Sequence, residues 1–165
     1  MVKNIERLVH IVSLGCPKNF VDTEVMAAAL LTHGIGITPD EADADVYMIN
    51  TCAFLPSARA EGEDFIRQAL KWKKSRKSRR VVIAGCLNQW DTERTYEAKY
   101  PEVDLWIGVN EVPNLGAILN KMFAGEKNDY RHRDCRYLYD ENTPRLQLTL
   151  PHYAYIKISE GCNNC

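Results

Sequence analysis

The sequence predicts a doubly wound α/β fold, and three observations carry that reading. Short apolar runs, rich in β-branched residues, recur at residues 7–14 (RLVHIVSL), 45–50 (DVYMIN), 81–84 (VVIA) and 103–107 (VDLWI). The stretches between them place apolar residues every three to four positions, the spacing of helices with one buried face. Short strands separated by helices are the pattern of a parallel sheet covered on both sides.

Taken in order, residues 7–14 form the first strand and end against Gly15. A helix follows over 21–33, with Val25, Met26, Ala29 and Leu30 on one side and Gly34 as its stop. Residues 36–38 suit a short edge strand. Residues 45–50 form the next buried strand, and 57–74 a longer helix facing the core through Phe65, Ile66, Ala69, Leu70 and Trp72. Then come the strand 81–84, a helix over 92–99 ended by Tyr100-Pro101, the strand 103–107, and a helix over 113–123 closed by Ala124-Gly125. The result is a flavodoxin-like parallel sheet with helices on both faces, occupying residues 1–124. Residues 125–150 are charged and irregular and read as a linker. Residues 153–158 (YAYIKI) read as a fresh strand, so 151–165 is expected to begin a second domain that is cut short.

Composition narrows the setting. A chain of 165 residues supports one domain with a proper core and little more. Its apolar runs are too short to span a bilayer, and the opening MVKNIER carries acid and is no signal peptide, so the cytoplasm is the expected location and no membrane partner is expected. The net charge of −1 gives no overall attraction to nucleic acid. One run departs from that balance: residues 71–80 (KWKKSRKSRR) hold seven cations in ten. It reads as a solvated helix end, with a nucleic-acid or ribosome-facing patch as the competing reading. Six cysteines are too few for a disulfide-stapled secreted domain, and in a reducing compartment they point to metal binding or catalysis.

Three of those cysteines repeat one placement. Cys16, Cys52 and Cys86 each stand just past an apolar strand, at gaps of 36 and 34 residues, about one β–α unit apiece. Parallel strands present their carboxyl ends at one edge, where open α/β sheets bind ligands, so the three thiols converge. Glycine before Cys16 and Cys86 suits a tight turn and a close backbone approach. A single strand-end cysteine is ordinarily a small buried hydrophobe, but three equivalent ones favour a metal site. A structural zinc would want a fourth protein ligand, commonly from a C-x2-C pair, which these cysteines lack. Three thiolates with one open position suit a [4Fe-4S] cluster.

Other side chains have plainer roles. Asn19, Asp22 and Glu24 are candidates for a polar shell around the site, with helix capping the alternative for the two acids. Trp72, Trp90 and Trp106 are expected in packing, His10 and His33 as structural residues, and Cys135 as a free thiol in the linker.

The residues Ser13-Leu-Gly-Cys-Pro-Lys-Asn-Phe-Val-Asp-Thr-Glu24 resemble the opening motif of the methylthiotransferase family, and Cys16-Pro17-Lys18-Asn19 favours its RimO branch over the tRNA-modifying MiaB branch. Asn50-Thr51-Cys52 and Ala84-Gly85-Cys86-Leu87 are similar to the family's second and third cysteine motifs. The stretch 152–163 (HYAYIKISEGCN) is similar to the lead into its radical-SAM barrel. The resemblance implies an auxiliary [4Fe-4S] cluster on Cys16, Cys52 and Cys86, and a second cluster begun by Cys162, the first cysteine of C-x3-C-x2-C. In the full-length enzyme that second cluster would cleave S-adenosylmethionine, fed by an electron donor. The implied reaction is methylthiolation of the β-carbon of an aspartate in a small-subunit ribosomal protein, with tRNA the substrate of the alternative branch. A chain stopping at 165 would lack most of that barrel and be inactive alone. Two departures stand out: Cys165 falls on an intervening position of the C-x3-C-x2-C pattern, and Gln89-Trp90 replaces a glutamine–arginine pair. A flavodoxin-like electron-transfer module is a third reading, but Pro17 removes a backbone donor from the turn that would have to cradle phosphate. A zinc-binding α/β module is a fourth.

Overall fold

Strands that alternate with helices pair in parallel, and that is what forms. The computed structural model describes residues 5–126, 130 and 139–159. The strands are β1 (Arg7–Ser13), β2 (Ile35–Ile37), β3 (Val46–Thr51), β4 (Arg80–Gly85) and β5 (Leu105–Ile107), in spatial order β2-β1-β3-β4-β5. Every pairing is parallel. This is the flavodoxin-like order, in which the chain winds first to one side of β1 and then to the other. The strand direction reverses its march between β1 and β3, and their carboxyl ends flank the switch point.

The helices are α1 (Pro17–Thr32), α2 (Pro56–Lys73), α3 (Cys86–Trp90), α4 (Thr95–Lys99) and α5 (Leu115–Phe123). Alternate strand residues supply two cores. Val46, Met48, Val82 and Ala84 face α1 and α5, meeting Val25, Met26, Leu30, Leu115 and Leu119. Tyr47, Ile49, Val81 and Ile83 face the other way, against Ile66 and Ala69 of α2 and Leu87 of α3. The helix expected from residue 21 begins four residues earlier, because Pro17 at its first position is already set to helical φ. The short helix α3 was not foreseen. The helix expected from 92 begins at Thr95: Arg94 takes a left-handed φ of +59°, and the Asp91 carboxylate caps the new start through the amides of Thr95 (3.0 Å) and Tyr96 (2.8 Å). The helix expected from 113 opens as a 3-10 turn over Val109–Asn114.

Residues 139–159 lie along α1. Arg145 Nε donates to Glu24 (2.7 Å), as does the amide of Leu148 (2.7 Å), and the Leu146 amide reaches the Glu24 carbonyl (3.1 Å). Residues 153–158, read as a strand, make no ladder with any described residue. A strand needs a partner edge, and this stretch instead meets α1 through side chains.

α5 packs closely on α1 at Gly116, where a Cβ would stand 2.3 Å from the Ala29 carbonyl oxygen and 2.6 Å from the His33 ring. The obstruction is backbone, which cannot swing aside. Gly116→Ala is expected to lower stability by about 1–3 kcal/mol, read as an earlier urea midpoint with an unchanged slope.

Candidate metal centre

The registers Ser13↔Asn50 and Asn50↔Ala84 align the ends of β1, β3 and β4. Thr51 pairs Gly85, so Cys52 and Cys86 leave their strands side by side. Cys16 sits three residues beyond β1, in extended backbone, and its carbonyl accepts the first helical bond from Phe20 (3.1 Å). The sheet therefore brings Cys16, Cys52 and Cys86 to one edge. Cys16 is exposed, Cys52 buried and Cys86 between the two. Cys162, Cys165 and Cys135 lie outside the described residues.

Two glycines make the approach possible. Gly15 adopts φ +89°, and a Cβ there would stand 2.6 Å from the Cys52 Cβ and 3.0 Å from its Sγ. Gly85 adopts φ +94°, with a hypothetical Cβ 2.6 Å from the Thr51 carbonyl oxygen. Any side chain at either position is strained and collides with a neighbouring cysteine loop.

Beneath the thiols lies a buried polar network. The Asn19 side-chain amide donates to the carbonyls of Leu14 (2.6 Å), Asn50 (3.2 Å) and Thr51 (3.3 Å). Asn50 returns the link by donating to the Asn19 carbonyl (2.8 Å) and to Thr23 Oγ1 (2.9 Å), and the Thr51 hydroxyl donates to Ala84 O (2.6 Å). Asn88 does for β4 and β5 what Asn19 does for β1 and β3, donating to Ile83 O (2.7 Å) and Ile107 O (2.8 Å). Asn50, Thr51 and Asn88 were not singled out as supporting residues, although each sits within two positions of a cysteine, a proximity the sequence displays.

Asp22 and Glu24 cap nothing, since α1 starts too early for either to reach its first turn. Asp22 accepts from Tyr139 Oη and Lys157 Nζ, both at 2.6 Å, while fully buried Glu24 holds Arg145. Asp22 also acts on the site. Burial first, then the charges of Asp22, Cys52 and Cys16, push the Cys86 thiol up to about 11, with Lys18 opposing. Cys86 therefore senses both other cysteines.

Trp90, expected in packing, is 54% exposed. The Arg59 guanidinium lies 4.5 Å from the centre of its ring and donates to Ala53 O (2.7 Å), bridging the Cys52 and Cys86 loops. Trp106 is buried as expected, and Trp72 donates its indole N–H to Glu41 O (2.7 Å). His33 bonds Ala29 O (2.9 Å) and His10 bonds Thr38 O (3.3 Å), both structural. Among the described residues no three His, Cys, Asp or Glu side chains close round a point as the ligands of a single ion do. Three thiols on one edge form a donor set that soft and borderline metals accept. Among the described residues no helix is long and apolar enough to cross a membrane.

A fold of this order with a three-cysteine edge defines an α/β domain of the kind whose ligands meet outside the strand ends. The sequence profile of the uncharacterized protein family UPF0004 matches residues 8–108, and the chain belongs to that family. It is 45% identical over 163 residues to the ribosomal protein uS12 methylthiotransferase RimO of Syntrophus aciditrophicus, covering 96% of this chain and 36% of the relative. The RimO of Trichlorobacter lovleyi is 44% identical, with 95% of this chain and 35% of the relative aligned. That of Geotalea uraniireducens is 39% identical over the whole chain and 37% of its own length. The chain thus spans about a third of the length of these relatives.

Two outcomes test this geometry. Asn19→Ala should cost about 1–3 kcal/mol by leaving carbonyls at two strand ends short of a donor, seen as a lower Tm. In the metal-free chain, the alkylation rate of Cys86, followed by peptide mass spectrometry, should still rise beyond pH 10, where an ordinary thiol (pKa about 8.5) has levelled off.

Proposed function

We propose that this chain is the cluster-bearing N-terminal part of a RimO-type methylthiotransferase, and that Cys16, Cys52 and Cys86 hold its auxiliary [4Fe-4S] cluster. The observation that carries the reading is the alignment of three strand ends, each closed by a cysteine, with glycines where the loops must pass close together. The donor set fits the group. Cys16, Cys52 and Cys86 would supply three thiolate ligands, the donor type such clusters take, and would leave a position free for a further ligand. Such a cluster supplies, when bound, an iron at which the sulfur to be inserted can be held.

The chain's own residues do the rest. Asn19 and Asn88 hold the strand ends in register, so the three thiols are positioned by the sheet rather than by the metal. Gly15 lets the Cys16 loop lie against Cys52. Cys16 stands at the N-cap position of α1 and is exposed, so its thiol is open to a ligand at the edge. Cys86, held protonated by burial and by Asp22, must release its proton as it binds a cation. Cys162 is proposed as the first ligand of a second cluster, which with S-adenosylmethionine and an electron donor would complete the enzyme. The substrate proposed is the β-carbon of an aspartate in ribosomal protein uS12, the target in the relatives' names, and the setting is the cytoplasm. Residues 1–124 are proposed as the auxiliary-cluster domain, 125–150 as a linker and 151–165 as the start of the radical-SAM domain.

Anaerobic reconstitution with iron and sulfide should give about four irons per auxiliary site and broad visible absorption. Single Cys→Ala variants at 16, 52 and 86 should each lose that absorption while keeping the far-ultraviolet spectrum of the fold. Gly15→Ala should lower iron content with all three thiols still present. A chain that stays colourless and iron-free sinks the proposal.

A further inference from the structure

The basic run at residues 71–80 divides into two groups. Arg76 reaches Asp45 (3.3 Å) and Ala44 O (2.7 Å), and Arg79 is buried, its guanidinium 4.2 Å from the centre of the Trp72 ring. Lys73 and Arg80 share the Asp104 carboxylate (2.6 and 3.7 Å). Those four cations serve the fold. Lys71, Lys74 and Lys77 do not: they are exposed, and no carboxylate pairs with them among the described residues. They recur at every third residue along the end of α2 and the turn beyond it. With Arg67, Lys99 and Glu102 they line an open groove of about 750 Å³, in which Glu102 is the sole acid. Lys73 and Arg76 line it too, which makes seven cations in a chain whose net charge is −1. Arg67 and Lys99 are held by Glu63, so Lys71, Lys74 and Lys77 are the groove's cations without a carboxylate partner among the described residues.

We infer that this groove binds the sugar–phosphate backbone of duplex RNA. A row of flexible, unpaired ammonium groups on an open surface suits a chain of phosphates, not one small anion in a built pocket. The groove's aromatic residue, Tyr100, is 7% exposed and its hydroxyl is tied to Glu63 (2.8 Å), so no ring is presented for stacking unpaired bases. The groove lies at the amino ends of the strands, since α2 carries the chain about 27 Å back from the cysteine edge. A phosphate backbone held there leaves the thiols clear. The choice of RNA as the polyanion rests on the proposed ribosomal substrate, which places the enzyme against RNA.

The test is fluorescence anisotropy of the 165-residue chain with a labelled RNA hairpin across a potassium chloride series, beside the variant K71Q/K74Q/K77Q. Three neutralised phosphates predict a slope of log K against log salt of about −2 to −3. The variant should bind about tenfold or more weakly at low salt, with a slope near zero, while keeping its Tm and its iron content. Equal binding by variant and parent overturns the inference, as does displacement by polyglutamate as effective as by unlabelled hairpin. A DNA duplex of the same length binding tenfold more tightly also overturns it. A chain that loads iron but ignores the hairpin removes the groove and leaves the cluster reading intact; one that binds the hairpin through these lysines but never loads iron does the opposite.

Discussion

One side-chain amide holds the cysteine edge together. Asn19 donates to carbonyls at the ends of both β1 and β3, at the point where the winding of the sheet changes direction. Elsewhere in a parallel sheet, neighbouring strands are tied by their own ladder and by the helix that crosses between them. At the switch point the chain leaves in opposite directions from adjacent strands, and the ladder ends with the Leu14 amide on the Asn50 carbonyl (2.9 Å). An amide donor hidden there binds carbonyls of both strand ends and fixes the separation of the loops that carry Cys16 and Cys52. The positions of the thiols follow from that bond, from its counterpart at Asn88, and from the two glycines that let the loops pass.

The same helices give the molecule two unlike edges. Each runs from the carboxyl end of one strand back towards the amino end of the next, so the turns that start the helices gather near the cysteines and the turns that end them gather opposite. On the cysteine edge, Phe54, Leu55 and Trp90 leave apolar surface in the open. On the other, the end of α2 concentrates lysines where the helix dipole favours them. A chain near electrical neutrality is in this way polarised along the axis of its strands.

Much of this was legible in the sequence, and the misses have physical causes. Strands buried on both faces are continuous apolar runs, so their number and parallel order could be read directly, as could the repeat that puts a cysteine after three of them. The start of α1 lies four residues before the one read from apolar spacing, because its first turn is set by Pro17 at the first helical position and carries no apolar repeat. Residues 92–94 were placed in a helix because nothing in the sequence announces the left-handed backbone of Arg94. Asp22 and Glu24 were read against local helix geometry, yet their partners Tyr139, Arg145 and Lys157 lie more than a hundred residues away. Pairing across that distance is tertiary information. Residues 153–158 have the composition of a strand, but composition cannot supply a neighbouring edge.

The distribution of the three thiols also sets an order of events in the life of the chain. No two of them belong to the same β–α unit, so no local segment can gather even a pair of ligands before folding. During synthesis the edge comes into being only once β4 has emerged and docked beside β3, after most of the sheet already exists. A metal centre built here would be an insertion into a finished frame, unlike the short metal-binding modules whose ion drives their folding.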